Sequence, residues 1–286
     1  MMVTTDQSNL ETLLKADMLP QLPGSALRVM KLAQDLESPS HTLVEAIGSD
    51  PILTARILRA VNSPMYALAR HVTSLPTAVN TLGARAIQDL VMSYATADTF
   101  NRASGDSFAE RSLWRHSVAV GVAAREICKT IKRRGDAETA FLCGLLHDIG
   151  TLGMLRHSPN FAEILESISN IEERLAFERS IFGATHEQVG ALIANRWGLG
   201  NELVSVLAFH HNPRQAKHSY VLALTINAAD ILASANGMGL CEMPSKEIAE
   251  CEPIVALGLD ENKLDQIWKD TENTLDEMIQ LLTGLL

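Results

Sequence analysis

Seven metal-type side chains are spread over separate apolar segments in the middle and C-terminal parts of this chain: His116, then His147 and Asp148 within GLLHDIG, then His186, His210, His211 and Asp230. No other feature restricts the fold as strongly. An imidazole or carboxylate set among Leu, Ile, Ala and Gly must be paired, capped or exposed, because burying it alone is costly. A fold that gathers all of them satisfies them together with a cation or two. Five imidazoles and two carboxylates are a ligand set for one or two first-row transition metals.

The segments that carry them read as helices, and no stretch alternates as a strand would. Asp50-Pro51 is an N-cap followed by proline at the first helical position, and ILTARILRAVN runs on to Ser63-Pro64. Ser74 opens a helix that Gly83 closes. The next spans about Ala84 to Phe100, with Ile87, Leu90, Val91 and Tyr94 on one face. The polar stretch NRASGDS (101–107) separates this N-terminal bundle from the region of the seven side chains. There the pattern predicts helices over Phe108–Lys132, with His116 on the buried stripe, and over Ala137–His147, ended by Gly150. It continues with Thr185–Trp197, a helix capped by Asn201 that ends at His210-His211, and Ser219–Ala235 with Asp230. Two amphipathic helices follow, about Ser245–Leu257 and Asp260–Leu282. The expected division is 1–105, 106–236 and 237–286, the last completing the same unit.

Composition narrows the function classes. The chain has 286 residues and a net charge of -10, from 24 Lys+Arg against 34 Asp+Glu, so direct nucleic-acid binding is not expected. The basic triplet Lys132-Arg133-Arg134 reads as a solvated helix end, with cations at the negative pole. None of the four cysteines forms a CxxC pair; Cys128 and Cys143 lie in apolar helical patterns and read as buried thiols of a reducing compartment. The first residues show no basic stretch followed by an apolar run, and the most apolar segment, Tyr220–Ala235, is shorter than a membrane span. A cytoplasmic protein without membrane contact is expected.

Taken singly, each candidate ligand has another explanation. His116 could be a satisfied core histidine, His186 an exposed first-turn residue, and His210-His211 a pair bound to the last carbonyls of a helix. Adjacent residues on a helix point about 100° apart, so His147 and Asp148 share an ion only where the helix ends. Asp230 in LALTINAADILASA is harder to explain without a cation. His41, His71, His157 and His218 lack such settings and read as surface or packing residues. No serine or cysteine sits in a nucleophile-elbow context, and no glycine-rich phosphate loop is present.

Beyond these residues, MLPQLPGSALRVMKLAQD, IGSDPILTARILRAVNSPMY and SLPTAVNTLGARAIQDLVM resemble the N-terminal part of the HDOD domain, the HD-related output domain of bacterial signalling proteins. LWRHSVAVGVAA, AFLCGLLHDIGTLGML, THEQVGALIANRWGL and LAFHHNP complete the likeness, which spans roughly Leu13 to Asp230. The resemblance implies an all-α HDOD fold, with an N-terminal helical subdomain packed on an HD-type helical subdomain. It is similar also to the HD-GYP phosphodiesterases. By that similarity His116, His147, Asp148 and Asp230 would hold one metal, and Asp148 would bridge to a second held by His186, His210 and His211.

Two functions follow from the resemblance. One is a regulatory module acting on other signalling proteins, with the metal structural. The other is a metal-dependent phosphohydrolase acting on a phosphate-containing small molecule through a metal-bound water at Asp148. The metal would be Fe or Mn, with Zn or Ni as alternatives. Two departures argue against cyclic di-GMP hydrolysis: Thr151 stands where a lysine usually follows HDIG, and the chain reads HHNPRQAKHSY where the GYP loop would lie; Ser112, in place of the extra glutamate of trinuclear relatives, implies a mono- or binuclear site.

Overall fold

The computed structural model describes residues 20–33, 40–66, 68–103, 108–158, 160–165, 167–168, 170–240 and 248–284. The fold is all-α, with no strand among the described residues. Among the described residues five helices form the N-terminal part: α1 Gly24–Ala33, α2 Ser40–Gly48, α3 Pro51–Val61, α4 Leu75–Leu82 and α5 Ala84–Ala103. The expected caps are in place. Asp50 accepts from the backbone N–H groups of Ile52 and Leu53 at 3.1 and 3.0 Å, and the Ser74 hydroxyl accepts from Thr77 N–H. Ile87, Leu90, Val91 and Tyr94 are all buried, as their spacing predicts.

Eight helices among the described residues form the second part: α6 Phe108–Thr130, α7 Ala137–Leu146, α8 Ile149–His157, α9 Phe161–Leu165, α10 Ile171–Phe182, α11 His186–Arg196, α12 Asn201–Phe209 and α13 Tyr220–Ala233. From Leu113 to Cys128, α6 is buried on nearly all sides, so it is the axis of the bundle, packed by α7 and α13. Where α6 meets α7 the backbones touch. A Cβ on Gly144 would lie 2.5 Å from Gly121 Cα, so only glycine permits this approach. It brings the His116 end of one helix to the His147 end of the other. The stretch Pro213–Met238, which contains α13, has the length and hydropathy of a membrane span. It nevertheless packs on α6 as part of the core and carries Asn227 and Asp230.

The two parts are tied by a buried ionic knot. Arg125 of α6, 2% exposed, donates to Glu138 at 2.7 Å and lies over the Phe141 ring at 4.1 Å, while the Tyr66 hydroxyl donates to the same carboxylate at 2.8 Å. Helices α14 Glu252–Ala256 and α15 Glu261–Thr283 follow, and α15 packs against α3, α5 and α6.

Four boundaries differ from expectation. Gly150 does not end a helix; it sits in the first turn of α8, where a Cβ would meet the His186 carbonyl oxygen at 2.0 Å. The glycine is there for a backbone contact with α11. Helix α12 is capped by Gly200 rather than Asn201, without a side-chain bond. In place of a single helix over Ser245–Leu257 there is a 3₁₀ turn, Ile248–Glu250, and then the short α14; residues 245–247 lie outside the described set. Pro253, in the first turn of α14, lacks an N–H and its ring excludes the preceding turn, so the helix starts anew there. The polar break expected over 101–107 is narrower, because α5 runs to Ala103 and residues 104–107 lie outside the described set.

Candidate metal centre

The fold brings all seven predicted side chains together as two adjoining clusters. His116 of α6, His147 at the end of α7 and Asp230 of α13 form the first; His186 at the start of α11 and His210 and His211 after α12 form the second. Within each cluster the candidate ligand atoms lie within 4.8 Å of one another. Asp148 stands between them. Its Oδ2 is 4.0 Å from His116 Nε2 and 3.8 Å from His147 Nε2, and its Oδ1 is 3.2 Å from His186 Nε2.

The hydrogen bonds behind the rings fix how they present themselves. His116 Nδ1 meets the Met238 carbonyl at 2.8 Å, His147 Nδ1 the Gly144 carbonyl at 2.7 Å, and His210 Nδ1 the Leu207 carbonyl at 2.9 Å. A carbonyl only accepts, so in each ring Nδ1 carries the hydrogen, and in the neutral ring Nε2 is a bare lone pair. Those nitrogens nevertheless face one another. His116 Nε2 and His147 Nε2 are 3.2 Å apart, and His186 Nε2 is 3.3 and 3.2 Å from Nε2 of His210 and His211. Two ligands of one ion with metal–nitrogen bonds near 2.0–2.1 Å stand about 2.9–3.4 Å apart, so the spacing suits a shared cation. Asp230 Oδ1 lies 3.4 Å from His116 Nε2 and closes the first cluster.

Both readings of His210 therefore apply at once: it binds a helix-end carbonyl with one nitrogen and faces the cluster with the other. His186 is fully buried, not an exposed first-turn residue. His41, His71 and His218 are exposed, and His157 packs on the Phe182 ring. Cys128 and Cys143 are buried and free; Cys241 lies outside the described residues. The basic triplet is exposed past the end of α6. Ser112 is half-buried on α6.

Sequence reasoning missed two residues of the site, Arg174 and Glu178, both on α10. Glu178 accepts from His186 Nδ1 at 2.8 Å and from His186 N–H at 2.7 Å, so it fixes the ring and the start of α11. Arg174 donates from Nε to Glu178 at 2.9 Å and reaches Asp148 Oδ1 at 3.2 Å. The Arg/Glu pair at i, i+4 in IEERLAFERSIFG, between Asn170 and Gly183, was the available signal.

The charge states follow from these contacts. Burial lowers the His116 pKa, and it lowers those of His210 and His211 well below the ordinary imidazole value, so these rings are neutral. Burial pushes Asp148 up, but Arg174 and then His186 outweigh it and hold the carboxyl well below the usual range. Glu178 is likewise raised by burial and lowered, on balance, by His186 and Arg174. For His186, burial and Arg174 lower the pKa, while Glu178 and Asp148 raise it, and the net direction is upward.

Comparisons with known proteins agree with this architecture. The family description "HDOD domain" matches residues 19–213. Among curated proteins, an uncharacterised protein of Treponema pallidum (strain Nichols) is 23% identical over 211 residues, covering 72% of this chain and 40% of its own. Ribonuclease Y of Syntrophotalea carbinolica is 30% identical over 121 residues, covering 42% of this chain and 21% of its own. The chain thus spans less than half the length of either relative. Among solved structures, an HDOD domain protein of unknown function from Geobacter sulfurreducens superposes with a TM-score of 0.71 at 23% identity, over 98% of this chain and 99% of that one. A Shewanella amazonensis SB2B protein, provisionally named a phosphohydrolase, gives 0.70 at 23% identity over 100% of both chains. A second protein of that organism, provisionally named a metal-dependent phosphohydrolase, gives 0.66 at 22% identity over 95% of this chain and 99% of that one.

Proposed function

The chain belongs to the HDOD domain family, and from that premise we propose that it is a bacterial signal-transduction module organised around a retained transition-metal centre. The observation that carries the metal is the pair of imidazole nitrogens of His116 and His147, 3.2 Å apart, with both Nδ1 atoms committed to backbone carbonyls. Two lone pairs so placed repel unless a cation joins them. The mixture of imidazole and carboxylate favours Fe or Mn, with Zn or Ni as alternatives, in one or two ions held by His116, His147, Asp148, His186, His210, His211 and Asp230.

The regulatory role is supported by how closed the centre is. Six of the ligand-type side chains besides Asp230 include only one, His211, that is even 12% exposed, and Asp230 is 16% exposed. A buried site, braced behind His116, His147, His186 and His210, suits a scaffold that presents its outer surface to other signalling proteins. Free buried cysteines fit a cytoplasmic location.

A second reading, a metal-dependent phosphohydrolase, is favoured by the complete ligand set. When bound, such an ion would polarise a phosphoryl oxygen and lower the pKa of water. The chain's own part would be to hold Asp148 ionised, through Arg174, and to orient His186, through Glu178. His211 and Asp230 are the most exposed of the seven side chains, so a phosphate ester would approach from their side.

Elemental analysis of protein purified without chelator tests the metal centre. Near-stoichiometric Fe or Mn, lost in Asp148→Ala, is expected; less than about 0.1 ion per chain with no uptake on reconstitution would sink it. A screen of phosphomonoesters and nucleotides with loaded protein separates the two readings. No turnover supports the module, and turnover lost in His147→Ala supports the enzyme.

A further inference from the structure

A carboxylate between two ligand clusters suggests a bridge, but the lone pairs of Asp148 are unequally committed. An ionised carboxylate offers about four acceptor positions, two on each oxygen. Oδ1 accepts from Arg174 at 3.2 Å and from the Thr151 hydroxyl at 3.2 Å, which uses both of its positions. Oδ2 has one long contact to Arg174, at 3.4 Å, and faces His147 and His116. The oxygen nearer the second cluster is saturated, and the one nearer the first is not.

Arg174 is also built in. It is 4% exposed, and its guanidinium donates to Thr151 and Glu178 as well as to Asp148. An arginine stays charged, so a positive charge is fixed beside the second cluster. That cluster is three imidazoles whose neighbouring carboxylates are Glu187, which accepts from His211 N–H at 3.4 Å, and Asp230, 3.9 Å from His211 Nδ1, whereas the first has Asp230 at 3.4 Å from His116 Nε2 and also Asp148 Oδ2. A divalent ion meets compensating charge in the first cluster and a guanidinium beside the second.

We propose that Arg174, with Thr151, restricts this centre to one tightly held ion, bound by His116, His147, Asp230 and Asp148 Oδ2, and makes the His186/His210/His211 cluster a site of much lower affinity. Thr151, the residue that departs from the lysine usual in relatives, is then part of the device: its hydroxyl links the guanidinium to Oδ1. The inference rests on the metal-centre reading above and adds the number and position of the ions.

The test is titration of metal-free protein with Mn²⁺, followed by calorimetry and electron paramagnetic resonance. The wild type should bind one ion at least about tenfold more tightly than a second. At one equivalent it should show the six-line signal of an isolated ion. Thr151→Val frees one position on Oδ1 and should tighten the second site several-fold. Arg174→Gln should tighten it further and give the coupled signal of an ion pair at two equivalents, while Arg174→Lys, which keeps the charge, should stay close to the wild type. Two equal sites or a coupled pair in the wild type would overturn the proposal, whether or not the arginine variants fold. Unchanged second-site affinity in Thr151→Val and Arg174→Gln would overturn the role of these residues. No Mn²⁺ binding by any variant would remove the metal-centre reading, and this inference with it.

Discussion

The contact between α8 and α11 can be broken by one methyl group, and the structure says on which side. A Cβ on Gly150 would lie 2.0 Å from the His186 carbonyl oxygen, 2.8 Å from Gly190 N and 2.9 Å from His186 C. Carbon and oxygen in ordinary contact stand above 3 Å, so α8 and α11 must separate by about 1 Å. All three clashing atoms are backbone, so no rotamer change relieves them. Overpacking typically costs about 1–3 kcal/mol, and a rigid backbone clash belongs at or above the top of that range. Alanine returns up to about 1 kcal/mol of helix propensity. Gly150→Ala should therefore lose about 2–4 kcal/mol. Gly190, on the facing helix, is the control: its added Cβ would meet nothing nearer than 3.6 Å, so Gly190→Ala should be neutral or slightly stabilising. Urea unfolding of the metal-free proteins measures the difference without reference to any ion. The same displacement moves His186 away from Asp148 Oδ1, now 3.2 Å distant, so affinity at the His186/His210/His211 cluster should fall as well. A Gly150→Ala protein with the wild-type midpoint, or one no worse than Gly190→Ala, would refute the argument.

Three further outcomes follow from the same contacts. Glu178→Gln retains one acceptor but loses the charge behind His186 and Arg174, so affinity at the His186/His210/His211 cluster should fall roughly 10–100-fold, as is typical for such supporting carboxylates; unchanged second-site affinity by calorimetry would count against the role of Glu178. Asp89 is buried and its pKa is raised to about 6, chiefly by burial, against the Thr139 hydrogen bond. The folded state therefore holds this proton more tightly than the unfolded chain. Its contribution favours folding at about pH 4 and is lost as pH rises to about 6, on the order of 3 kcal/mol. Asp89→Asn should melt higher than wild type at pH 8, with the gap closing towards pH 4, and a constant gap would contradict the assignment. Cyclic di-GMP hydrolysis by Fe- or Mn-loaded protein should be absent or weaker than in HD-GYP enzymes by on the order of a hundredfold, since the lysine is replaced by Thr151 and the loop after His211 is missing. Chromatographic detection of linear product at an ordinary rate, abolished by His147→Ala, would reverse that conclusion.

Much of the fold was legible because helix ends carry local chemistry. Asp50-Pro51, Ser74 and Asp260 act as caps within a few residues of where the pattern alone puts them. The buried face of α5 follows from spacing, since each of its apolar positions is set by the helical repeat. Gly150 was misread for a tertiary reason. A glycine after a helical run looks the same whether it ends the helix or lets another backbone approach, and only the position of α11 distinguishes the two. Pro253 shows the converse, a local signal overlooked within an otherwise periodic stretch.

The candidate ligands were legible because they contradict their surroundings. Asp148 in GLLHDIG and Asp230 in an alanine-rich helix have no lysine or arginine within a turn or two of sequence, so their charge points to a distant counter-ion. The residues that brace them give no such contrast. Helix α10 carries Glu172, Glu173, Arg174, Glu178 and Arg179 and has the polarity of a solvated surface helix. Glu172, Glu173 and Arg179 are indeed exposed, yet Arg174 and Glu178 are 4% and 0% exposed and hold Asp148 and His186. An i, i+4 ion pair reads alike on the surface and in the core, and its environment is decided by how α10 docks rather than by its own residues. The charge that balances Asp148 thus comes from the helix that looked least connected to it. In the proposed one-ion centre the number of ions depends on Arg174, which no motif marks, as well as on the seven side chains that motifs do mark.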